Sequence, residues 1–267
     1  MLFRLIVAVM FLASFPSTAR AVPRPVSAAD FSVPILLYHR FGPTVADGMT
    51  IKTPVFEEHL KYLRDNGYRV IPLRQVVDFY LKKGPAPPPK SVVIVEDDAH
   101  KSVYTDMLPL VKKYRVPVTV FIYPSAVSNA KYAMTWDQLR ELKKTGLFDF
   151  QSHTYWHPNF KKERKKLPPA EFDRLVESQL KKSREKIEKE LGVTVDMLAW
   201  PFGIYDDDLI RRAGVLGYRA TFTIDRRHVT PAESVMKLPR YLMINADQGK
   251  VFAQILAGSG PKRNVVY

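Results

Sequence analysis

Asp97-Asp98 and His153-Thr154-Tyr155-Trp156-His157 are the residues whose types and spacing could do chemistry. The acid pair closes an apolar run, Ser91-Val92-Val93-Ile94-Val95-Glu96. The histidine pair closes another, Leu147-Phe148-Asp149-Phe150-Gln151-Ser152. Each set therefore falls where a buried strand ends and the chain turns, the edge at which α/β proteins carry their sites. Two imidazoles and one carboxylate make a three-ligand metal site with an open position, and a second carboxylate remains beside it. Adjacent acids repel, so a nearby cation relieves a cost. Neighbouring strand side chains point to opposite faces, so Asp97 and Asp98 share one site only where the chain is leaving its strand.

His153 and His157 stand four apart, a spacing that puts two rings on one face of a helix. The zinc-protease form of that pattern needs glutamate directly after the first histidine, where Thr154 stands. Pro158 limits any helix, so the pair is placed on a loop after a strand. The bland alternative is two unrelated loop histidines. Acidic runs alone say little: Asp206-Asp207-Asp208 reads as a helix start.

The elements that must position these groups alternate. Short apolar strands are expected at 34–38, 68–71, 92–95, 119–122, 148–151, 197–200, 220–223 and 240–243. Their continuous apolar character suits a parallel sheet buried on both faces. Helices lie between them. One starts at Thr53-Pro54, read as a cap followed by proline, and stops at Asn66-Gly67. Another spans about 169–191 and stops at Gly192, and a third begins near Asp206 and stops at Gly214. The proline-rich stretch 84–89 is too short for a domain linker and connects a helix to a strand. No internal repeat is visible. The alternation predicts an α/β fold, a distorted or incomplete (β/α) barrel.

Residues 1–21 read as a signal peptide, with Arg4, an apolar core from Leu5 to Phe15 and a small-x-small pattern at Ala19-Arg20-Ala21. The core is short for a bilayer span, and an uncleaved anchor is the alternative. The expected organisation is a signal peptide at 1–21, an extension at 22–32 and one barrel domain at 33–267. Cleavage near Ala21 would leave an exported protein, periplasmic or secreted. Cysteine is absent, so no disulfide or thiol ligand contributes. The formal charge of +14 suits polyanions such as wall polymers or anionic lipid headgroups. Much of it lies in Lys161-Lys162-Glu163-Arg164-Lys165-Lys166, most simply a solvated face. Export and the lack of an aromatic-basic stacking motif argue against nucleic acid.

These residues resemble the polysaccharide deacetylases of the NodB-homology type, carbohydrate esterase family 4. Val95-Glu96-Asp97-Asp98-Ala99 stands where that family has Thr-Phe-Asp-Asp-Gly, and His153-Thr154-Tyr155-Trp156-His157 matches its His-Ser/Thr-x-x-His motif in full. Val33-Pro34-Ile35-Leu36-Leu37-Tyr38-His39 and Ala199-Trp200-Pro201-Phe202-Gly203-Ile204-Tyr205-Asp206 resemble the subgroup acting on exopolysaccharides such as poly-N-acetylglucosamine. The likeness runs from about Val33 to about Met243.

The resemblance implies roles. Asp98, His153 and His157 would bind a divalent metal, usually zinc. Asp97 would be the general base and His39 the general acid. Trp200, Pro201, Phe202, Tyr205 and Arg240 are the expected substrate-binding residues. Trp200, Phe202, Tyr205, Tyr155 and Trp156 offer rings for sugars, and a backbone N–H near Tyr205 could hold the oxyanion. Arg240 is also a candidate to orient Asp97, because the family's arginine before Pro-Phe/Tyr is replaced by Trp200. Three departures matter. Val95 lacks a hydroxyl, Glu96 replaces an aromatic, and Ala99 replaces a glycine and resists positive φ. Glu96 is harmless if it points away from the site and perturbing if it points in.

The implied reaction is hydrolysis of a carbon–nitrogen bond, the N-acetyl group of an N-acetylglucosamine polymer in exopolysaccharide or peptidoglycan. Association with the cell wall or with exopolysaccharide export machinery would follow. The altered acid motif keeps open a catalytically impaired carbohydrate-binding protein. The shared site chemistry keeps open another metal-dependent carbohydrate amidase or esterase.

Overall fold

The structure is a computed structural model and describes residues 31–261 and 263. The signal-peptide reading and its cleavage point lie outside the described residues. The elements in chain order are β1 (Ile35–Tyr38), β2 (Arg40–Gly42), β3 (Thr50–Lys52), α1 (Thr53–Asp65), β4 (Arg69–Val70), α2 (Leu73–Tyr80), β5 (Ser91–Asp97), α3 (Leu108–Tyr114) and β6 (Val118–Ile122). There follow α4 (Trp136–Lys144), β7 (Phe148–Ser152), α5 (Phe160–Lys166), α6 (Pro169–Leu191), β8 (Met197–Ala199), α7 (Asp207–Val215), β9 (Ala220–Phe222), β10 (Tyr241–Leu242) and α8 (Gly249–Leu256).

All eight expected strands form one parallel sheet, in the order β10-β1-β5-β6-β7-β8-β9 with β4 added to the start of β5. The sheet curls. Phe121 of β6 and Phe222 of β9 are three strands apart in that order, yet their rings meet at 5.3 Å. β9 and β10 do not pair as strands. Leu238, just before β10, bonds to Thr221 and Thr223 at 2.9 Å each and brings the two ends together through irregular chain. This is an incomplete (β/α) barrel, as the alternation of elements predicted.

Strand alternation sorts the side chains into two layers. Ile35 and Leu37, Val93 and Val95, Phe121, Met197 and Ala199, Ala220 and Phe222, and Leu242 fill the concave interior. Leu36, Tyr38, Val92, Ile94, Val120, Phe150, Leu198 and Tyr241 face the helices. Continuing the same alternation past each strand end predicts which side chains reach the mouth of the barrel.

Two local readings need correction, and one small sheet was missed. Thr53 does not cap α1: Lys52 is the N-cap and makes no side-chain cap bond, while Thr53 Oγ1 donates to Asp106 at 2.8 Å. Gly214 lies inside α7, and the left-handed turn comes at Gly217. The two-stranded parallel sheet of β2 and β3 was not foreseen, because three-residue strands carry no readable period. Asp206 does cap α7 as expected, accepting from Leu209 N–H at 2.8 Å.

Phe31 is buried and packs edge-on against Phe79 at 4.8 Å and Tyr80 at 6.2 Å, so the packed body reaches back at least that far. Phe31→Ala is predicted to cost about 3 kcal/mol in chemical denaturation, the usual range for truncating a buried phenylalanine. An unchanged midpoint would place the start of the cooperative unit after Phe31.

Candidate active site

β5 ends at Asp97, and the next two residues are left-handed: Asp98 at φ +89° and Ala99 at φ +54°. The chain leaves the strand at the acid pair, the condition both aspartates need to face one place. Asp97 continues the concave series of Val93 and Val95. Glu96 continues the convex series of Val92 and Ile94. Its buried carboxylate oxygens accept the N–H of Ala99 at 3.2 Å and of His100 at 3.3 Å. The open question about Glu96 therefore resolves: it points away from Asp97 and into the turn. Burial, then the Asp98 and Asp97 charges, push the Glu96 carboxyl well above its ordinary value against those two N–H groups.

β7 ends at Ser152, and 153–157 is a loop, as expected. Thr154 and His157 both have positive φ, at +65° and +63°. The loop is pinned from α6: Gln179 Oε1 accepts Tyr155 N–H at 3.1 Å and Trp156 N–H at 2.9 Å. Thr154 Oγ1 accepts His157 N–H at 3.2 Å. His153 continues the concave series, and its Nδ1–H donates to the Ala199 carbonyl at 2.8 Å. A carbonyl can only accept, so the lone pair of a neutral ring sits on Nε2.

That nitrogen lies 3.8 Å from Asp98 Oδ1 and 3.7 Å from Asp97 Oδ2. His157 Nε2 is also 3.8 Å from Asp98 Oδ1. These separations are too long for hydrogen bonds. Ligand atoms each about 2 Å from one ion stand apart by nearly such distances. Donor atoms of Asp98, His153 and His157 all lie within 4.8 Å of one another. Burial, then His153, pushes the His157 imidazole down to about 4, so it is neutral and free to ligate near neutrality. The backbone-oriented His153, the neutral His157 and the carboxylate fit a divalent metal.

Asp97 is held by Arg240. Arg240 Nη1 and Nη2 donate to its two oxygens at 2.8 and 2.9 Å, and Arg240 Nε donates to the Thr223 carbonyl at 2.9 Å. Both residues are buried. Burial pushes the Asp97 carboxyl up, but the Arg240 charge, with His153 and the paired hydrogen bonds, leaves it below its ordinary value.

A cavity of about 440 Å³ opens onto this cluster. It collects His39, Asp97, Asp98, His153, His157, Trp200 and Phe202 from the sequence-expected set. His39 is partly buried. Burial holds its pKa below the ordinary imidazole value, with the charges of Asp98 and Asp97 opposing the shift. Among the described residues, the buried side-chain nitrogens without a partner are His39 Nδ1, Arg40 Nε and Trp200 Nε1, and all three residues line this cavity.

Of the other expected residues, Arg240, Pro201 and Tyr205 lie outside the lining, and Trp200 lines it without a free ring face. Arg240 is fully buried with its guanidinium occupied, which suits orienting Asp97 and not touching substrate. Trp200 is fully buried against Phe160 at 6.1 Å, so its face is closed to a sugar ring. Pro201 is buried, and Tyr205 is outside the lining, with its hydroxyl 3.4 Å from Asp225 and Lys237 over its ring. Sequence reasoning missed Arg40, Met49, Tyr123, Tyr132 and Ile224, which complete the walls from loops and strand ends without readable period. Tyr123 and Tyr132 bond through their hydroxyls at 2.8 Å, and Tyr123 meets the His157 ring at 5.3 Å. Gly203, at φ +66°, gives Ile224 room: a Cβ there would lie 2.3 Å from Ile224 Cγ1.

The profile of the polysaccharide deacetylase family matches residues 84–221, a span that holds both acids and both histidines. The chain belongs to this family. The poly-beta-1,6-N-acetyl-D-glucosamine N-deacetylase of Staphylococcus aureus (strain MRSA252) is 28% identical over 192 residues, 70% of this chain and 66% of that protein. The Staphylococcus epidermidis protein of the same name is 28% identical over 194 residues, 71% of this chain and 66% of its own length. The chain thus spans just under two thirds of these relatives. The Streptococcus pyogenes deacetylase PplD, solved with acetate, superposes with a TM-score of 0.75 at 22% identity, over 85% of this chain and 98% of that one. IcaB from Ammonifex degensii gives 0.74 at 23% identity, over 86% and 97%. At such identities the two structures show a shared fold.

Two predictions follow from the held groups. Arg240→Met is expected to cost about 3–5 kcal/mol, because a buried charge loses its partner. A folded Asp97 pKa below the unfolded value means stability that is present above about pH 4 and lost as pH falls through the folded value. Removing Arg240 raises that folded value, so acid unfolding moves to higher pH. Urea midpoints measured from pH 3 to 7 check both points. Gln179→Ala strips two loop N–H groups of their acceptor and is expected to cost about 1–2 kcal/mol by the same assay.

Proposed function

We propose that this chain is an exported, metal-dependent de-N-acetylase of an N-acetylglucosamine polymer. The observation that carries the reading is the convergence of Asp98, His153 and His157 around one point, with the ionised Asp97 beside it. Export rests on the leader pattern of residues 1–21. Among the described residues no helix is long and apolar enough to cross a membrane. We assign the barrel domain to residues from about 33 onward, with Phe31 packed onto it.

Asp98, His153 and His157 would hold the ion, zinc in the first instance. Such an ion would supply Lewis acidity, polarising the acetyl carbonyl and making water easier to ionise near neutrality. Asp97, kept charged by Arg240, accepts the proton of the attacking water. The water oxygen bonds to the acetyl carbon and the carbon–nitrogen bond breaks. His39 gives its proton to the departing amine; burial lowers its pKa overall, and the charges of Asp98 and Asp97 oppose that shift. Phe202 faces the cavity beside His157, at 4.5 Å between rings, and suits an acetyl methyl or a sugar face.

The likeness to the two staphylococcal relatives supports a β-1,6-linked N-acetylglucosamine polymer as substrate, with peptidoglycan as the runner-up. The cell wall and the exopolysaccharide export machinery are the partners this substrate implies. The impaired, binding-only reading loses its main support because Glu96 faces the convex layer.

The test separates base from ligands. Asp97→Asn is expected to keep stoichiometric zinc while acetate release falls at least a thousandfold. Near-full activity in that variant would remove Asp97 as the base. His153→Ala is expected to lose bound zinc by elemental analysis, and stoichiometric metal there would sink the ligand set.

A further inference from the structure

We propose that Glu96 is a positioning residue whose buried carboxyl clamps the left-handed turn that presents Asp98. Asp98 and Ala99 are consecutive residues at φ +89° and +54°, and neither is glycine. Left-handed backbone is unfavourable for a residue with a Cβ. Such a turn persists only where its surroundings hold it. Glu96 supplies that hold from two residues before Asp98. Its Oε2 accepts Ala99 N–H at 3.2 Å and its Oε1 accepts His100 N–H at 3.3 Å. Both oxygens are used, and both amides belong to the turn.

Core filling does not explain this carboxyl. Glu96 is fully buried, and among the described residues no cation lies within 4 Å of it. An acid buried without a cation is costly unless its oxygens are hydrogen-bonded. Here the bonds it makes are those to the turn. The outer side of the turn is tied down as well: Met134 N–H donates to the Ala99 carbonyl at 3.0 Å, and Lys101 N–H to the Tyr132 carbonyl at 2.7 Å. Asp98, between these anchors, has its Oδ1 at 3.8 Å from both histidine Nε2 atoms. A slack turn would lose that placement. Glu96 and Ala99 are therefore one coupled feature: a clamp that lets a residue with a Cβ serve where glycine would serve without help.

This inference rests on Asp98 as a metal ligand, and its test is built so that the two can fail separately. The full chain and four variants are compared: Glu96→Gln, Glu96→Leu, Ala99→Gly, and Glu96→Leu combined with Ala99→Gly. Amide hydrogen exchange over 98–101 reads the turn directly, and cobalt titration reads the ligand set by affinity and visible spectrum. Glu96→Leu is expected to exchange at least tenfold faster in that segment and to bind cobalt at least tenfold more weakly. Adding Ala99→Gly is expected to recover most of the cobalt affinity, a rescue that a general loss of stability would not show. Exchange and affinity within twofold of wild type in Glu96→Leu, or no rescue by glycine, would overturn the clamp. Should Glu96→Leu not fold, Glu96→Gln decides, with at least threefold faster exchange expected and unchanged exchange contradicting it. Should the wild type bind no cobalt, the metal reading falls and the exchange data alone judge Glu96.

Discussion

A carboxylate buried beside three metal-ligand candidates is the constraint on which the rest of the structure depends. Asp97 has almost no contact with water, and in such a place a lone charge is expensive. Arg240 resolves this with a two-pronged bond, and it comes from the start of β10, across β1 from the end of β5. The curl of the sheet is what lets those ends converge. Once Asp97 is held ionised and oriented, His153 can sit 3.7 Å away without a proton shared between them. The two imidazole rings and the second acid then face the same opening.

Strand alternation decides which sequence departures matter. Odd positions of β5 face the interior and even positions face the helices, so Glu96 and Asp97 belong to different layers although they are neighbours. Trp200 likewise follows the convex series after Leu198 and packs on Phe160. The arginine that the related motif places at that position is absent, yet a guanidinium reaches Asp97 from another strand. Geometry fixes the need for a cation at Asp97; it does not fix which element brings it.

Much of this was legible in the sequence because it follows from period and punctuation. Continuous apolar runs identified all eight strands of the main sheet, and Gly192 marked the end of α6. The acid and histidine pairs at strand ends converge on one cavity, the candidate site. The rest was hidden for physical reasons. Tyr123, Tyr132 and Gln179 matter through contacts made across distant segments, and no local spacing records such contacts. The burial of Trp200 and Arg240 depends on which face of a strand each occupies near its end, where one residue of register inverts the answer. For Trp200, aromatic character near a motif suggested sugar stacking, while the ring is packed in the core.

The most direct measurement is acetate release by the purified mature chain from β-1,6-linked N-acetylglucosamine oligomers, with and without chelator, followed by zinc add-back. Acetate that disappears with chelator and returns with zinc is the expected result. Release that persists undiminished in a metal-stripped protein would contradict the metal-dependent reading of Asp98, His153 and His157.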